Sequence, residues 1–197
     1  MRSLILASAS TTRAKILAEA GVTFRVQASA VNEDFDDAPT IEVVAELAAR
    51  KARAVVETLA DALVLGCDSL LDVEGIAYGK PSSPADAAER WRTIRGRSGT
   101  LMTGHVMIDA ATRREAREVV ATVVHFGRPS ETEIEAYVRS GEPLDKAGAF
   151  TLEGRSSAFI RGIEGDAGNV RGLSVPALTR LLRSFNCSIT DFWATSN

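Results

Sequence analysis

The chain has 197 residues, 45% hydrophobic and 25% charged, a composition that supports one sizeable core. A formal net charge of -3 argues against a dedicated binder of nucleic acid or of an anionic membrane, since neither is drawn to a mildly acidic partner. Two cysteines, Cys67 and Cys187, make no disulfide framework and fit a reducing cytosol, and two histidines are too few for a histidine-built zinc cage.

Arg2 to Ala7 reads as a short buried strand, with an apolar core at Leu4-Ile5-Leu6 too short for a signal peptide. Thr12 to Ala20 reads as a helix closed by Gly21, and Phe24 to Ala28 as a weakly alternating second strand. An acidic loop, Val31 to Thr40, follows. Thr40 is the expected N-cap of a long helix with apolar residues at Val43, Val44, Leu47, Ala48, Val55 and Leu59. Ala62 to Gly66 is another buried strand, and Asp72 to Gly75 a hairpin turn. Ser83-Pro84 opens a helix running through Ile94, and Arg95 to Gly99 is a loop. Met102–Ile108 and Val119–Phe126 read as paired strands about a polar turn. Ser130 and Glu133 have capping-box spacing and start a helix ending at Ser140 to Pro143. Phe159 to Ile163 is a strand, Ser174 to Arg183 a closing amphipathic helix, and residues 188 to 197 are expected to be peripheral. Hairpins interrupt the alternation of strands and helices. The predicted fold is therefore α/β, a mixed twisted sheet flanked by helices, in a single domain over residues 1–197. No apolar run approaches the roughly 20 residues that span a bilayer, so a soluble, cytoplasmic protein is expected.

Three stretches could carry chemistry. In "ASASTTR" (Ala7–Arg13), small hydroxyl residues join a strand to a helix N-terminus. Backbone N–H groups, the helix dipole, the hydroxyls of Ser8 and Ser10, and the Arg13 fork all suit a phosphate there. An ordinary strand–helix turn, with Ser10 as N-cap and Arg13 in solvent, would read the same. In "GCDSLLDVEGIAYGKP" (Gly66–Pro81), Asp68 follows the buried strand, where sites in α/β sheets form. Lys80 is held between Gly79 and Pro81 on restricted backbone. A turn Asp and a solvated Lys are the plain alternative. In "GEPLDKAGAFTLEG" (Gly141–Gly154), Asp145-Lys146-Ala147-Gly148 is a small polar loop that substrate could approach, or simply a helix end. Glu33 lies in the acidic loop, and Lys51 falls near the buried face of the long helix, four residues after Leu47. Arg13, Lys51, Lys80 and Lys146 would meet phosphate oxygens, while Glu33 and Asp68 are hard carboxylates of the kind that hold Mg²⁺ or Mn²⁺. Together they suit hydrolysis at phosphorus.

These blocks, with "DKAGAF" (Asp145–Phe150), Glu153-Gly154 and "IEGDAGNVRGLSVPAL" (Ile163–Leu178), resemble the Maf family of nucleoside triphosphate pyrophosphatases. The resemblance implies an elongated α/β fold with two lobes about a central cleft, often homodimeric. It implies cleavage of a nucleoside triphosphate between its α and β phosphates with a divalent cation. Asp68 would then be the proton acceptor, with Ser8, Arg13, Glu33, Lys51 and Lys80 lining the phosphate and metal site. Positions matching Thr12, Ser69 and Glu153 help select the base. The branch preferring thymidine and uridine triphosphates tends to carry Arg, Thr and Gln there. Glu153 resembles the branch acting on 7-methyl-GTP, but Ser69 stands where that branch has Gln.

The family's usual S-x-S-P-R-R is here Ser8-Ala9-Ser10-Thr11-Thr12-Arg13, without the proline and the first arginine. Met102 stands where a histidine commonly follows the Ser-Gly loop, with His105 three residues on. Asn169 and Gly172 are expected to shape the cleft or a dimer surface. The alternative is a nucleotide-binding regulator of division or stress with weak or no hydrolysis. A nucleic-acid binder would need a basic face with interleaved aromatics that the chain does not show.

Overall fold

In the computed structural model, which describes residues 2–35 and 38–194, the apolar segment Leu4–Leu6 is strand β1, buried throughout. Helix α1 (Thr11–Glu19) and an exposed edge strand β2 (Arg25–Val26) follow. The long helix α2 (Thr40–Val56) precedes β3 (Leu63–Val73), which turns through a hairpin into β4 (Ile76–Tyr78). Helix α3 (Pro84–Ile94) leads to the long strands β5 (Ser98–Asp109) and β6 (Glu115–Phe126). Then come α4 (Glu131–Arg139), three short 3-10 turns, β7 (Ile160–Glu164), the single-turn helix α5 (Ala167–Val170) and α6 (Val175–Ser184).

The strands form one seven-stranded sheet in the order β2-β1-β3-β5-β6-β7, with β4 also on β3. β1 is parallel to β2 and β3, and every other pairing is antiparallel. The mixed α/β sheet flanked by helices is the architecture expected from the pattern.

One break in this sheet places the site. Along one edge of β3, β1 pairs only as far as Leu65 and β4 only from Leu71. The stretch Gly66 to Leu70 between them keeps β5 on its other edge. In the ladder to β1, Leu63 N–H donates to Ser3 and Ala7 N–H to Leu65 O. The strand's alternation therefore turns the backbone groups of Cys67 and Ser69 toward the gap.

The two faces of β3 meet different layers. Val64 faces α2 with Ala48, Ala52 and Val55, and Leu70 packs with Val43, Val44 and Leu47. Leu63, Leu65 and Cys67 face α1 and α6, among Leu17, Leu178 and Leu182. Burial of a Val or Leu in such layers stabilises by roughly 2 kcal/mol each. Helix α2 lies unusually close. A Cβ at Gly66 would sit 2.2 Å from Ala48 O, and one at Gly104 2.2 Å from Val44 O. These two glycines flank Asp68, since Gly104 is its register partner on β5. A second core lies at the other end of the sheet. There Trp91 meets Phe126, Tyr137 and Phe159 edge-on at 5.6–5.9 Å and donates its indole N–H to Ala149 O at 2.9 Å.

Several local expectations change. The strand expected over Ala62 to Gly66 continues to Val73, so Asp68 lies inside a strand and not just past its end. Glycine usually weakens a strand, but Gly66 marks a close backbone approach instead. Residue Pro39, not Thr40, is the N-cap of α2, and the Thr40 hydroxyl donates to Asp72 Oδ2 at 2.6 Å. The loop expected at Arg95 to Gly99 ends early because β5 begins at Ser98. Residues 188 to 194 are mostly exposed, as expected, but the segment is anchored. Phe192 is buried beside α1, its carbonyl accepts from Thr23 N–H, and Ala194 N–H donates to Gly21 O. The expected caps at Ser83 and at Ser130 with Glu133 are formed, and Ser174 caps the closing helix as well.

Candidate active site

At the bare stretch of β3 a cavity of about 600 Å³ opens, lined by the β1–α1 junction, the acidic loop, β3, the Gly79–Lys80 loop, the Asp145–Lys146 turn and the loop after α5. Its size suits a small-molecule ligand.

On the α2 face, Asp68 and Lys51 are each only 6% exposed. Lys51 Nζ donates to Asp68 Oδ1 at 2.5 Å and pairs with Glu33 Oε1 at 2.7 Å. Lys51 reaches this depth because it shares the buried stripe of α2 with Leu47 and because Gly66 and Gly104 let the helix down onto the strands. A charge buried so deeply persists only with a partner, and two carboxylates converge on this ammonium. Burial pushes the Glu33 carboxyl upward, but the Lys51 hydrogen bond and the charges of Lys51, Lys80 and Arg13 outweigh it and hold the group below the usual range. Arg50 Nη1 steadies the acidic loop through Asp34 O at 3.2 Å.

The opposite face is built from hydroxyls. Ser10 caps α1, accepting from Arg13 N–H at 3.4 Å. The Arg13 side chain folds inward, contrary to the solvated reading. Its Nε donates to Gly172 O at 2.8 Å, Nη1 to Ser8 Oγ at 3.1 Å and Nη2 to Ser69 Oγ at 3.0 Å. Ser69 in turn lies 2.9 Å from Thr103 Oγ1 on β5. The neighbouring Cys67 thiol is pushed up to about 11 by burial, which leaves it inert as a nucleophile.

The far wall carries Lys80, whose Nζ donates to Asp145 Oδ1 at 2.7 Å; that bond, with the nearby Lys146 charge, holds the Asp145 carboxyl low. Gly79 O gathers this wall together, accepting from Arg90 Nη1 at 2.6 Å and from Gly148 N–H at 3.0 Å. Gly148 has φ +66° and packs on Leu71, so glycine serves the loop's own conformation there.

The geometry can be set beside known proteins. The family model described as Maf-like protein matches residues 3–185. The chain belongs to the Maf-like family. A protein of Streptomyces coelicolor named nucleoside triphosphate pyrophosphatase is 50% identical over 196 residues, covering 98% of this chain and 95% of its own. Relatives with the same name in Synechocystis sp. and Salinispora tropica are 47% and 46% identical, each aligned with 97% of this chain and with 98% and 87% of their own.

In this Maf-like chain Ser8, Ser10, Thr12, Arg13, Glu33, Lys51, Asp68, Ser69, Lys80 and Lys146 all line the one cavity. Glu153 does not. It sits behind Arg171, pairing with that guanidinium at 2.6 Å and with Lys15 at 3.5 Å, while Arg171 itself reaches the wall. His105 does not stand in for the histidine absent at Met102. It is fully buried on the α6 side, where Nε2 accepts from Ser174 N–H at 2.9 Å, and burial, aided by the Arg13 charge, lowers it to about 4. Gly172 lines the cavity and Asn169 lies beneath it, fully buried. Sequence reasoning missed Thr103, Arg90 and Arg171. Arg90 had a faint signal as the i+4 partner of Asp86 on α3, with which it pairs at 2.7 Å. The other two had none.

Among the described residues no helix is long and apolar enough to cross a membrane.

Proposed function

We propose that this chain hydrolyses the α–β phosphoanhydride of a nucleoside triphosphate, releasing the monophosphate and pyrophosphate in the cytosol. The observation that carries the reading is the buried Asp68–Lys51 pair, joined by the exposed Glu33, in a cavity whose other walls offer Lys80, Lys146 and a hydroxyl-rich helix N-terminus. Family membership and the names of the relatives support it.

Asp68 would take the proton of an attacking water. Lys51 engages Oδ1 and fixes the carboxylate plane, leaving Oδ2 to accept as the water oxygen bonds to the α phosphorus and the bond to the β-bridging oxygen breaks. Lys80, Lys146 and the N–H groups of α1 would receive the negative charge of the polyphosphate.

The residues also suit a divalent cation, because their donors are hard carboxylate oxygens. Glu33 and Asp68 bring carboxylate oxygens to the same ammonium, so they already converge on one positive charge. Mg²⁺ or Mn²⁺ is commonly held by one or two carboxylates together with substrate phosphates, and no cluster of three or more acidic, histidine or cysteine ligands occurs among the described residues. Neutralisation of phosphate charge is the chemistry such an ion supplies when bound.

The test is a panel of standard, methylated and pyrimidine triphosphates with Mg²⁺ or Mn²⁺, in oxygen-labelled water. Equimolar monophosphate and pyrophosphate, with label on one of them, is the expected result. Orthophosphate as the product would overturn the bond assignment. Nucleotide held tightly and left intact for hours would move the chain to the regulatory class.

A further inference from the structure

The inference concerns what holds Lys80 at the proposed active site, and it rests on that functional reading. A lysine carries a point charge on a long flexible stem. The Lys80 side chain is 62% exposed and pairs with Asp145, which is itself exposed. Such an ion pair is weak, screened by water and salt, and fixes little by itself. Direction must therefore come from the backbone. Strand β4 ends at Tyr78 and α3 begins at Pro84, so residues 79 to 83 belong to neither a ladder nor a helix. Pro81 stiffens only one step of the segment.

The remaining support comes from α3. The Arg90 fork donates from Nη1 to Gly79 O at 2.6 Å and from Nη2 to Lys80 O at 3.3 Å, gripping the two carbonyls that flank the Lys80 Cα. Behind the fork, Nε and Nη2 donate to Asp86 Oδ1 and Oδ2 at 2.7 and 2.8 Å. Asp86 Oδ2 also accepts from the N–H and the hydroxyl of Ser82, at 2.8 and 3.0 Å, so it takes up the other end of the segment. The Arg90 and Ser82 bonds hold the Asp86 carboxyl below the usual range. The guanidinium lies over the Tyr78 ring, 5.6 Å from its centroid. Arg90 borders the cavity, yet all but one of its five N–H groups are spent on these bonds.

We propose that the Asp86–Arg90 pair is a clamp that positions Lys80, fixing the backbone from Gly79 to Ser82 so that the ammonium meets the polyphosphate from one direction. Arg90 is then a positioning residue that acts through Lys80, and not a further cation for the substrate. The planar fork is what this task needs. An ammonium in its place would keep the charge but could not grip two carbonyls and a carboxylate together.

A double-mutant cycle on kcat/KM separates these roles, using the triphosphate that the wild type cleaves fastest. Lys80→Met is expected to lower kcat/KM about 100-fold, and Arg90→Met about tenfold through the misplaced ammonium. The double variant should be no slower than Lys80→Met alone. Arg90→Lys should lose as much as Arg90→Met, because charge without the fork does not position. Asp86→Asn loosens the clamp from its other end and should be equally silent in the Lys80→Met background. It carries the test if Arg90→Met does not fold. Multiplied losses, about 1000-fold in the double variant, would show Arg90 acting independently of Lys80 and overturn the proposal. Wild-type turnover in Arg90→Lys, Arg90→Met or Lys80→Met would overturn it as well. A wild type releasing no monophosphate from any nucleotide is a different outcome: it removes the functional reading, and this inference with it.

Discussion

Asp68 and Ser69 are adjacent in β3, yet they belong to different chemical worlds. Alternation of the strand sends Asp68 to the α2 face, where it meets a buried ammonium and a second carboxylate. Ser69 goes to the α1 and α6 face, where an arginine and hydroxyls orient one another. The cavity receives both because the edge of β3 is bare between β1 and β4. One face gathers carboxylates about an ammonium; the other sets hydroxyls about a guanidinium. A single strand separates the two with no intervening element.

The largest effect should come from the charged face. Asp68→Asn keeps the shape but removes the proton acceptor, and pyrophosphate release should fall about 10³-fold. Ser69→Ala should leave turnover of the best nucleotide far less affected. Comparable losses in the two variants would erase the contrast, and unchanged turnover in Asp68→Asn would refute its role.

Next is the support of that face. In Gly66→Ala the new Cβ would meet Ala48 O at 2.2 Å and Ala52 N at 2.8 Å, lifting α2 and with it Lys51. A loss of about 3 kcal/mol is expected in urea unfolding. Gly162→Ala is the control, since nothing lies within 4 Å of its Cβ position, and its unfolding midpoint should barely move. Equal midpoints for the two variants would show that close approach of α2 is not what the glycine serves.

The Ser69 face should reveal itself through pH. His105 is buried on it with its pKa lowered from 6.5 to about 4, so the folded state favours the neutral ring. The associated stability is complete above the unfolded pKa and is lost as pH falls through 6.5 toward 4, by about 2 kcal/mol between pH 7.5 and 5. His105→Gln should remove that part of the pH dependence. Parallel stability curves for variant and wild type would contradict it.

The smallest effect is at the α1 cap. Ser10→Ala should cost about 1 kcal/mol in stability, with Ser8 still bonded to Arg13 and to the backbone N–H of residue 10. A thermal melt resolves it.

Much of this was legible from local pattern. The stripe of α2, the caps at Ser83 and Ser130, and the hairpin at Asp72 to Gly75 follow from neighbours a few residues apart. Lys51 could be suspected because its place relative to Leu47 is a matter of helical period. The length of β3 was misjudged because its continuation past Gly66 depends on β5 lying along it, a partner some forty residues away in the chain. Thr103 and Arg171 were invisible for the same kind of reason. Their neighbours Met102 and Gly172 drew notice, but only the fold brings Thr103 to Ser69 and Arg171 to the cavity wall.

What the amino-acid order determined alone was the inventory: which short segments become strands and helices, and which side chains carry charge or hydroxyl. Those choices rest on backbone propensity, capping and apolar period, all of them local. Only the folded arrangement decided that Arg13 bonds to Gly172 O, that Lys51 meets both Glu33 and Asp68, and that Glu153 stands behind Arg171 rather than in the cavity. Hydrogen bonds and buried ion pairs act over about 3 Å, so their partners are set by sheet register and by how closely a helix can approach the strands beneath it.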